Sequence, residues 1–262
     1  MINNNNDEDV TTGEMVDEEL LEEEYGDKRK PGCFIKVMAV VILLIFTAFS
    51  MPRLSYLFTD KLNFLDQNQV LQEDQIVQKC KPAVVSIEAF TKDAPLNEVV
   101  HSGTGFNISP SGTIVTNQHV VDNAGTITIT FGDGTKYYVN QYETIPGIDV
   151  AIIKIMGKDL PTIALDRRDQ VKSGEIVTII GNPLGFEKIA QRGEVGGFIK
   201  IADSQSQVFD IKLQVNPGSS GSPVINDQAQ VVGIVFASTT ENANGQAEPR
   251  CLAIPVQDLP LQ

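Results

Sequence analysis

The stretch Asn216-Pro-Gly-Ser-Ser-Gly-Ser-Pro223 decides the reading of this chain. A serine hydroxyl is a poor nucleophile until a base takes its proton and a pocket of N–H donors receives the oxyanion. A Gly-x-Ser-Gly turn can serve both needs. Gly218 lets the chain take a tight path, so its N–H and that of Ser220 can converge on one spot, with Ser219 as a third candidate donor. Gly221 keeps the far side clear of side chains. Turns rich in Gly, Ser and Pro are common in loops. An ordinary surface turn therefore competes until the rest of the chain is weighed.

A base is the next requirement, and the chain holds two histidines, His101 and His119. His119 lies in Gly112-Thr-Ile-Val-Thr-Asn-Gln-His-Val-Val121, where a β-branched strand ends in a polar turn. The end of a rigid element suits a base that must hold its geometry. His101 precedes Ser102-Gly-Thr-Gly105 and reads as a solvated loop residue. A carboxylate must then fix the histidine tautomer. Asp149 opens the apolar run Asp149-Val-Ala-Ile-Ile-Lys-Ile155, where a buried acid needs a partner. Asp122 and Asp133 are rivals in turn-like, exposed contexts.

The order His119, Asp149, Ser220 is the chymotrypsin order. The surroundings resemble the HtrA/Deg proteases. Ser102-Gly-Thr-Gly-Phe106 resembles that family's Gly-Ser-Gly-Phe strand, and Thr116-Asn-Gln-His-Val-Val121 its histidine motif. Ile148-Asp-Val-Ala151 resembles its Asp-Leu-Ala motif, and Gly181-Asn-Pro-Leu-Gly185 its Gly-Asn-Pro-x-Gly turn. Leu252-Ala-Ile-Pro255 resembles its Phe-Ala-Ile-Pro strand, so the likeness runs over residues 76–256. The family usually has Gly-Asn-Ser-Gly-Gly-Pro at the nucleophile; here Ser219 replaces Asn and Ser222 replaces the last Gly. Neither change removes the nucleophile, and Ser222 is expected to alter packing under the loop. Most family members carry a PDZ domain after the Ala-Ile-Pro strand. This chain ends seven residues after Pro255, so PDZ-based capture is not carried over.

The resemblance implies an all-β fold of two packed six-stranded antiparallel β-barrels, with the triad in the cleft between them. Turn signals at Ser109–Gly112, Phe131–Gly134, Asn182-Pro183 and Asn226-Asp227 separate short β-branched runs and agree with that count. It also implies a homotrimer built through the segment before Pro82, and unfolded or misfolded proteins as substrates.

Charge divides the chain. The net charge is −14; residues 1–30 hold 11 acids and 3 bases, and the remainder 23 acids and 17 bases. The mildly acidic remainder disfavours nucleic-acid binding. Residues 1–32 read as a disordered acidic tail with too few apolar residues for a core. Residues 33–52 read as a transmembrane helix, with Lys36 snorkelling. Lys28, Arg29, Lys30 and Lys36 precede or open the run, against Arg53 and Lys61 beyond it. That bias puts the tail in the cytoplasm and the remainder outside. A cleaved signal peptide is the competing reading, since Ala48-Phe-Ser50 offers small residues, and the long acidic leader argues against it. Residues 53–75 then read as a stalk that becomes helical, and residues 76–262 as the protease domain. Of three cysteines, Cys80 and Cys251 would lie outside, and sequence leaves their pairing open.

Together these features predict a membrane-tethered serine endopeptidase needing no cofactor or metal, with Ser220 as nucleophile, His119 as base and Asp149 as its orienter. Gly218, Ser219 and Ser220 supply candidate oxyanion N–H groups. Phe236, Ala237 and Leu252 are read as the walls of an apolar specificity pocket. The alternative is a catalytically idle protease fold acting as a membrane-bound scaffold.

Overall fold

A computed structural model describes residues 38, 40–42, 64–91, 99–167, 170–200, 207–243, 246–257 and 259–261. The chain divides into two compact units, Met1–Phe58 and Thr59–Gln262. The predicted tail, most of the predicted membrane span and the start of the stalk lie outside the described residues. Met38 and residues 40–42 are helical. Among the described residues no helix is long and apolar enough to cross a membrane.

The second unit is built of two sheets. The first contains β1 (Val84–Thr91), β2 (Val99–Asn107), β3 (Thr113–Thr116), β4 (Ala124–Thr130), β5 (Lys136–Val139), β6 (Glu143–Thr144) and β7 (Ala151–Lys154). Its strand order is β5-β4-β1-β2-β3-β7-β6. Side chains of a strand alternate between faces. Along β1, Val85, Ile87 and Ala89 point inward, while Ser86, Glu88 and Phe90 are partly exposed. The inward set joins Ile114, Ile127, Ile129 and Ile153 in the core of this sheet.

The second sheet contains β8 (Ala164–Leu165), β9 (Ile176–Gly181), β10 (Ile189–Lys200), β11 (Gln207–Lys212), β12 (Pro223–Ile225), β13 (Gln230–Ala243) and β14 (Gln246–Pro255). The order β12-β9-β10-β11-β14-β13 closes on itself through β12–β13 pairing, and β8 adds in parallel to β13. Val177, Ile179, Phe209, Ile211, Val224 and Cys251 fill this barrel. A further cluster including Phe106 and Val115 of the first sheet, and Ile180, Ile234 and Ile254 of the second, joins the two.

Two six-stranded barrels were expected. The second sheet closes at six strands, whereas the first is an open half-barrel of seven whose ends, β5 and β6, do not pair among the described residues. The physical reason is length: β6 has two residues and pairs only with β7.

The described end of the segment read as a stalk, and the start of the segment read as the protease domain, are helical. These helices, residues 64–71 (α1) and Gln75–Cys80 (α2), pack onto the second barrel. Phe64, Asn68, Leu71 and Val77 are buried, and Phe64 meets Phe186 edge-on at 5.9 Å between ring centres. Side chains here do the work of a missing strand. Gln67 Nε2 donates to Arg192 O (2.9 Å), Arg192 N to Gln67 Oε1 (3.2 Å) and Ala190 N to Asn68 Oδ1 (2.9 Å). Open backbone groups of β10 are thereby satisfied. Phe64, in the segment through which a trimer is expected to build, is therefore taken up within its own chain.

Asp74 locks this arrangement. Its carboxylate caps α2 by accepting from Ile76 N (2.9 Å) and pairs with Arg192 Nη2 (2.8 Å). The Arg192 hydrogen bond, with help from the cap, holds the carboxyl below its ordinary value against the opposing effect of burial. Asp74→Ala is expected to destabilise the chain by about 1–2 kcal/mol at pH 7. A depressed folded-state pKa contributes stability above the unfolded value, about 3.9, which is lost as pH falls through the folded one. The difference between wild type and variant in urea unfolding should therefore shrink from pH 7 to pH 3. A difference independent of pH would contradict a charged cap.

Candidate active site

Strand register brings the base and the acid together. β3 and β7 are antiparallel, with Thr116 opposite Ala151. His119 follows the end of β3 by three residues and Asp149 precedes β7 by two, so both leave the same end of the half-barrel. The predicted polar turn at His119 is a single helical turn, α3 (Gln118–Val121), preceded by Asn117. Val120 and Val121 anchor it in the core, which turns His119 outward. Asn117 Nδ2 donates to Asp149 O at 2.8 Å and ties the two segments.

The Asp149 carboxylate grips His119 twice. Its Oδ2 lies 2.6 Å from His119 Nδ1, and its Oδ1 accepts from the His119 backbone N–H at 3.0 Å. Partial burial works to raise the Asp149 carboxyl, and the bonds from the His119 ring and N–H outweigh it, so it stays below its ordinary value. An ionised carboxylate at Nδ1 leaves Nε2 available to accept a proton. Neither rival acid reaches this site. Asp122 accepts from Asn123 Nδ2, and Asp133 from Thr135 N. His101 sits in β2 opposite Ala89, exposed, and not in a loop; ladder pairing with β1 extends through it.

Ser220 comes from the second barrel, three residues before β12. Gly221 N donates to Val235 O (2.8 Å) and Val235 N to Ser222 O (2.9 Å), continuing the β12–β13 ladder up to the serine. Gly103 lets the barrels close here. A Cβ at that position would meet both Val120, beside His119, at 2.8 Å and Ser220 O at 3.1 Å. Thr104 N bonds the same carbonyl at 2.8 Å. Among the described residues no hydrogen bond yet joins Ser220 Oγ to His119. Such bonds are often long before substrate closes a site.

The backbone of the loop is braced on one side and open on the other. Thr104 Oγ1 donates to Gly218 O (2.8 Å), and Leu184 N donates to Pro217 O (2.7 Å). Gly218 holds φ at +95°, a conformation glycine adopts without strain. The N–H groups of Gly218 and Ser220 have no partner among the described residues. Ser219 N–H, by contrast, donates to Asn216 O at 3.1 Å. Of the three N–H groups expected as oxyanion donors, that of Ser219 is thus engaged in the turn's own hydrogen bond.

Thr104 and Asn182 are the residues that sequence reasoning missed. Asn182 is buried; its N–H donates to Thr104 Oγ1 (2.9 Å), and its amide donates to Val85 O (3.0 Å) and accepts from Lys188 N (2.8 Å). The pair joins both barrels to the loop. The available signal was a small polar side chain flanked by glycine, at Gly103-Thr-Gly105 and Gly181-Asn182.

Ser222 shows its departure as an energetic defect. It is fully buried, its Oγ pressed against Gly181 and without a hydrogen-bond partner. An unsatisfied buried hydroxyl costs about 1–3 kcal/mol. Ser222→Ala is expected to raise stability by about 1 kcal/mol in urea unfolding. Destabilisation would show that the hydroxyl has a partner.

The pocket expectation is refined. Ala237 pairs with Leu252 just past a register shift that leaves Phe236 unpaired. Phe236 packs against the cluster that joins the barrels. An acid stands one strand away: Asp210 lies opposite Leu252 and accepts from Gly197 N at 2.6 Å. Buried Arg250 answers it at 3.5 Å and also binds Glu241 and Glu248, each at 2.8 Å. Cys80 and Cys251 are both buried and unpaired. Burial pushes the Cys80 thiol up to about 11 and raises Cys251 too, so neither is an activated nucleophile.

Residues 103–234, half of the chain, match the trypsin-like peptidase domain. A probable periplasmic serine endoprotease, DegP-like, from Chlamydia pneumoniae is 35% identical over 147 residues, covering 55% of this chain and 30% of that protein. One of the same description from Pseudomonas savastanoi pv. phaseolicola is 40% identical over 134 residues, covering 50% and 28%. The chain thus spans under a third of the length of these relatives. Among solved structures, the serine endoprotease from Yersinia pestis superposes with a TM-score of 0.59 at 25% identity, covering 70% of this chain and 62% of that one. The active form of the Rv3671c protease from M. tuberculosis gives 0.61 at 26% identity, covering 72% and 83%.

Proposed function

Because the chain belongs to the trypsin-like peptidase family, we propose that it is a serine endopeptidase acting through His119, Asp149 and Ser220. The observation that carries this reading is the double grip of the Asp149 carboxylate on His119, at Nδ1 and at the backbone N–H. In the proposed reaction His119 Nε2 takes the Ser220 proton as Oγ attacks the scissile carbonyl. The proton then passes to the leaving amine, and water, activated by the same nitrogen, releases the acyl group. The N–H groups of Gly218 and Ser220 receive the oxyanion. Asp149 stays ionised throughout and holds the imidazolium.

The substrates we infer are unfolded or exposed protein segments, cut outside the membrane. The relatives' description as periplasmic endoproteases supports this placement. Residues 1–32 form the cytoplasmic tail in this proposal, 33–52 the anchor, and the protease domain follows, assembled as a trimer. The P1 side chain would lie beside Ala237 and Leu252, next to the buried pair Arg250 and Asp210, with Arg250 also met by exposed Glu241 and partly exposed Glu248. An apolar wall gives a basic P1 group no unpaired acid, and the excess of carboxylates disfavours an acidic one. Small or medium aliphatic P1 residues are therefore expected, with discrimination of roughly 10–200-fold per methylene. Mass-spectrometric mapping of cuts in unfolded casein, with Ser220→Ala as the blank, tests both points. Cuts after Val, Ile, Ala or Leu that vanish in the variant support them. A dominant Arg, Lys or Glu preference would overturn the pocket, and cuts that persist in the variant would overturn the activity.

A further inference from the structure

Away from the triad, a cavity of about 470 Å³ opens between the β4–β5 turn, the linker joining the two sheets and the start of β10. Phe131, Leu160 and Pro161 give it apolar walls, and its charged lining residues are Lys81, Lys188 and Asp133. None of His119, Asp149 and Ser220 lines it. Lys188 is unusual for a lysine: it is 7% exposed. Lysine is almost never buried without a partner, because an uncompensated ammonium in an apolar setting is costly. Yet among the described residues the Lys188 ammonium makes neither a hydrogen bond nor an ion pair.

The backbone commits it to this position. Lys188 takes a left-handed φ of +55°, fixed by its N–H bond to buried Asn182. The side chain then lies over Gly132, where any Cβ would collide with the ammonium. Burial lowers the Lys188 pKa, and neighbouring Lys81 lowers it further, against Glu187 and Asp133, which act from exposed positions. Lys81, Lys188 and one exposed carboxylate, Asp133, thus face a largely apolar space of the size that small molecules occupy, with one positive charge in excess. There is no arginine fork and no phosphate-cradling helix end in the lining, so the complement is a single compact anion with an apolar body.

We propose that this cavity binds a small monocarboxylate with an apolar tail, its carboxylate between Lys188 and Lys81 and its tail against Phe131, Leu160 and Pro161. The site is independent of peptide hydrolysis, so its test needs no activity. The full chain is titrated with hexanoate, and reductive methylation of each lysine is followed by mass spectrometry. At ten times its Kd, hexanoate should slow modification of Lys188 and Lys81 by about tenfold, as occupancy requires. Lys154 and Lys212, paired on the surface with Glu143 and Glu194, should be unaffected. Neither 1-hexanol nor inorganic phosphate should protect. Lys188→Met should abolish protection of Lys81, and Lys81→Met should weaken protection of Lys188, which keeps the test open if the first variant does not fold. Equal protection by hexanol would reduce the cavity to an apolar sink, equal protection by phosphate to a general anion site, and no protection by hexanoate would remove it; each result overturns the proposal.

Discussion

Replacing His119 or Ser220 by alanine should each lower kcat by about 10⁶-fold, and the double replacement should cost little more. The reason is that neither group acts alone. Without Nε2 the Ser220 hydroxyl keeps its proton, and without Oγ the base has no nucleophile to activate. The architecture makes the pair a unit across two barrels: Gly103 lies against Val120 and the Ser220 carbonyl together. Residual turnover in all three variants should be similar, since the free N–H groups of Gly218 and Ser220 remain. Steady-state hydrolysis of an aliphatic-P1 peptide ester measures it. Losses that multiply in the double variant would mean that His119 and Ser220 work independently.

Asp149→Asn should leave the fold intact and lower kcat by about 10⁴-fold. The carboxylate accepts two hydrogen bonds from His119, at 2.6 Å from the ring and 3.0 Å from the backbone. An amide offers only one acceptor oxygen, and its NH₂ group turned toward Nδ1 favours the tautomer that protonates Nε2. The base is then lost without any change of charge on the ring. Asp122→Asn is the control, because Asp122 bonds Asn123 and not His119. Full activity in Asp149→Asn with loss in Asp122→Asn would reassign the acid. Urea unfolding of both variants separates this effect from misfolding.

The contact between His119 and Asp149 was legible in sequence because both sit at the ends of strongly apolar β-branched runs, and strand pairing carries ends together. Thr116 opposite Ala151 is the register that turns 30 residues of separation into two hydrogen bonds. The fold class was legible for the same reason. What escaped the sequence depends on side chains that substitute for backbone. Gln67 and Asn68 satisfy β10 in place of a strand, so a segment with loose helical spacing docks where a stalk was expected. Thr104 and Asn182 brace the nucleophile loop from residues far away in the chain. Ser219 looked like a donor because composition does not reveal that Asn216 O closes the turn onto it. Asp210 was invisible near the pocket because it reaches Leu252 only through the pairing of β11 with β14, strands far apart in the chain.

The central claim is that Ser220 is an activated nucleophile facing a formed pair of oxyanion donors. Intact-mass analysis after exposure to a fluorophosphonate tests it most directly, because the reagent needs the base and the oxyanion site but no particular substrate. The account predicts one adduct per chain, mapped to Ser220, absent in Ser220→Ala and strongly slowed in Asp149→Asn. A folded wild-type chain that takes up no label, or a Ser220→Ala chain that labels as fast as wild type, would contradict it and leave the idle scaffold as the better description.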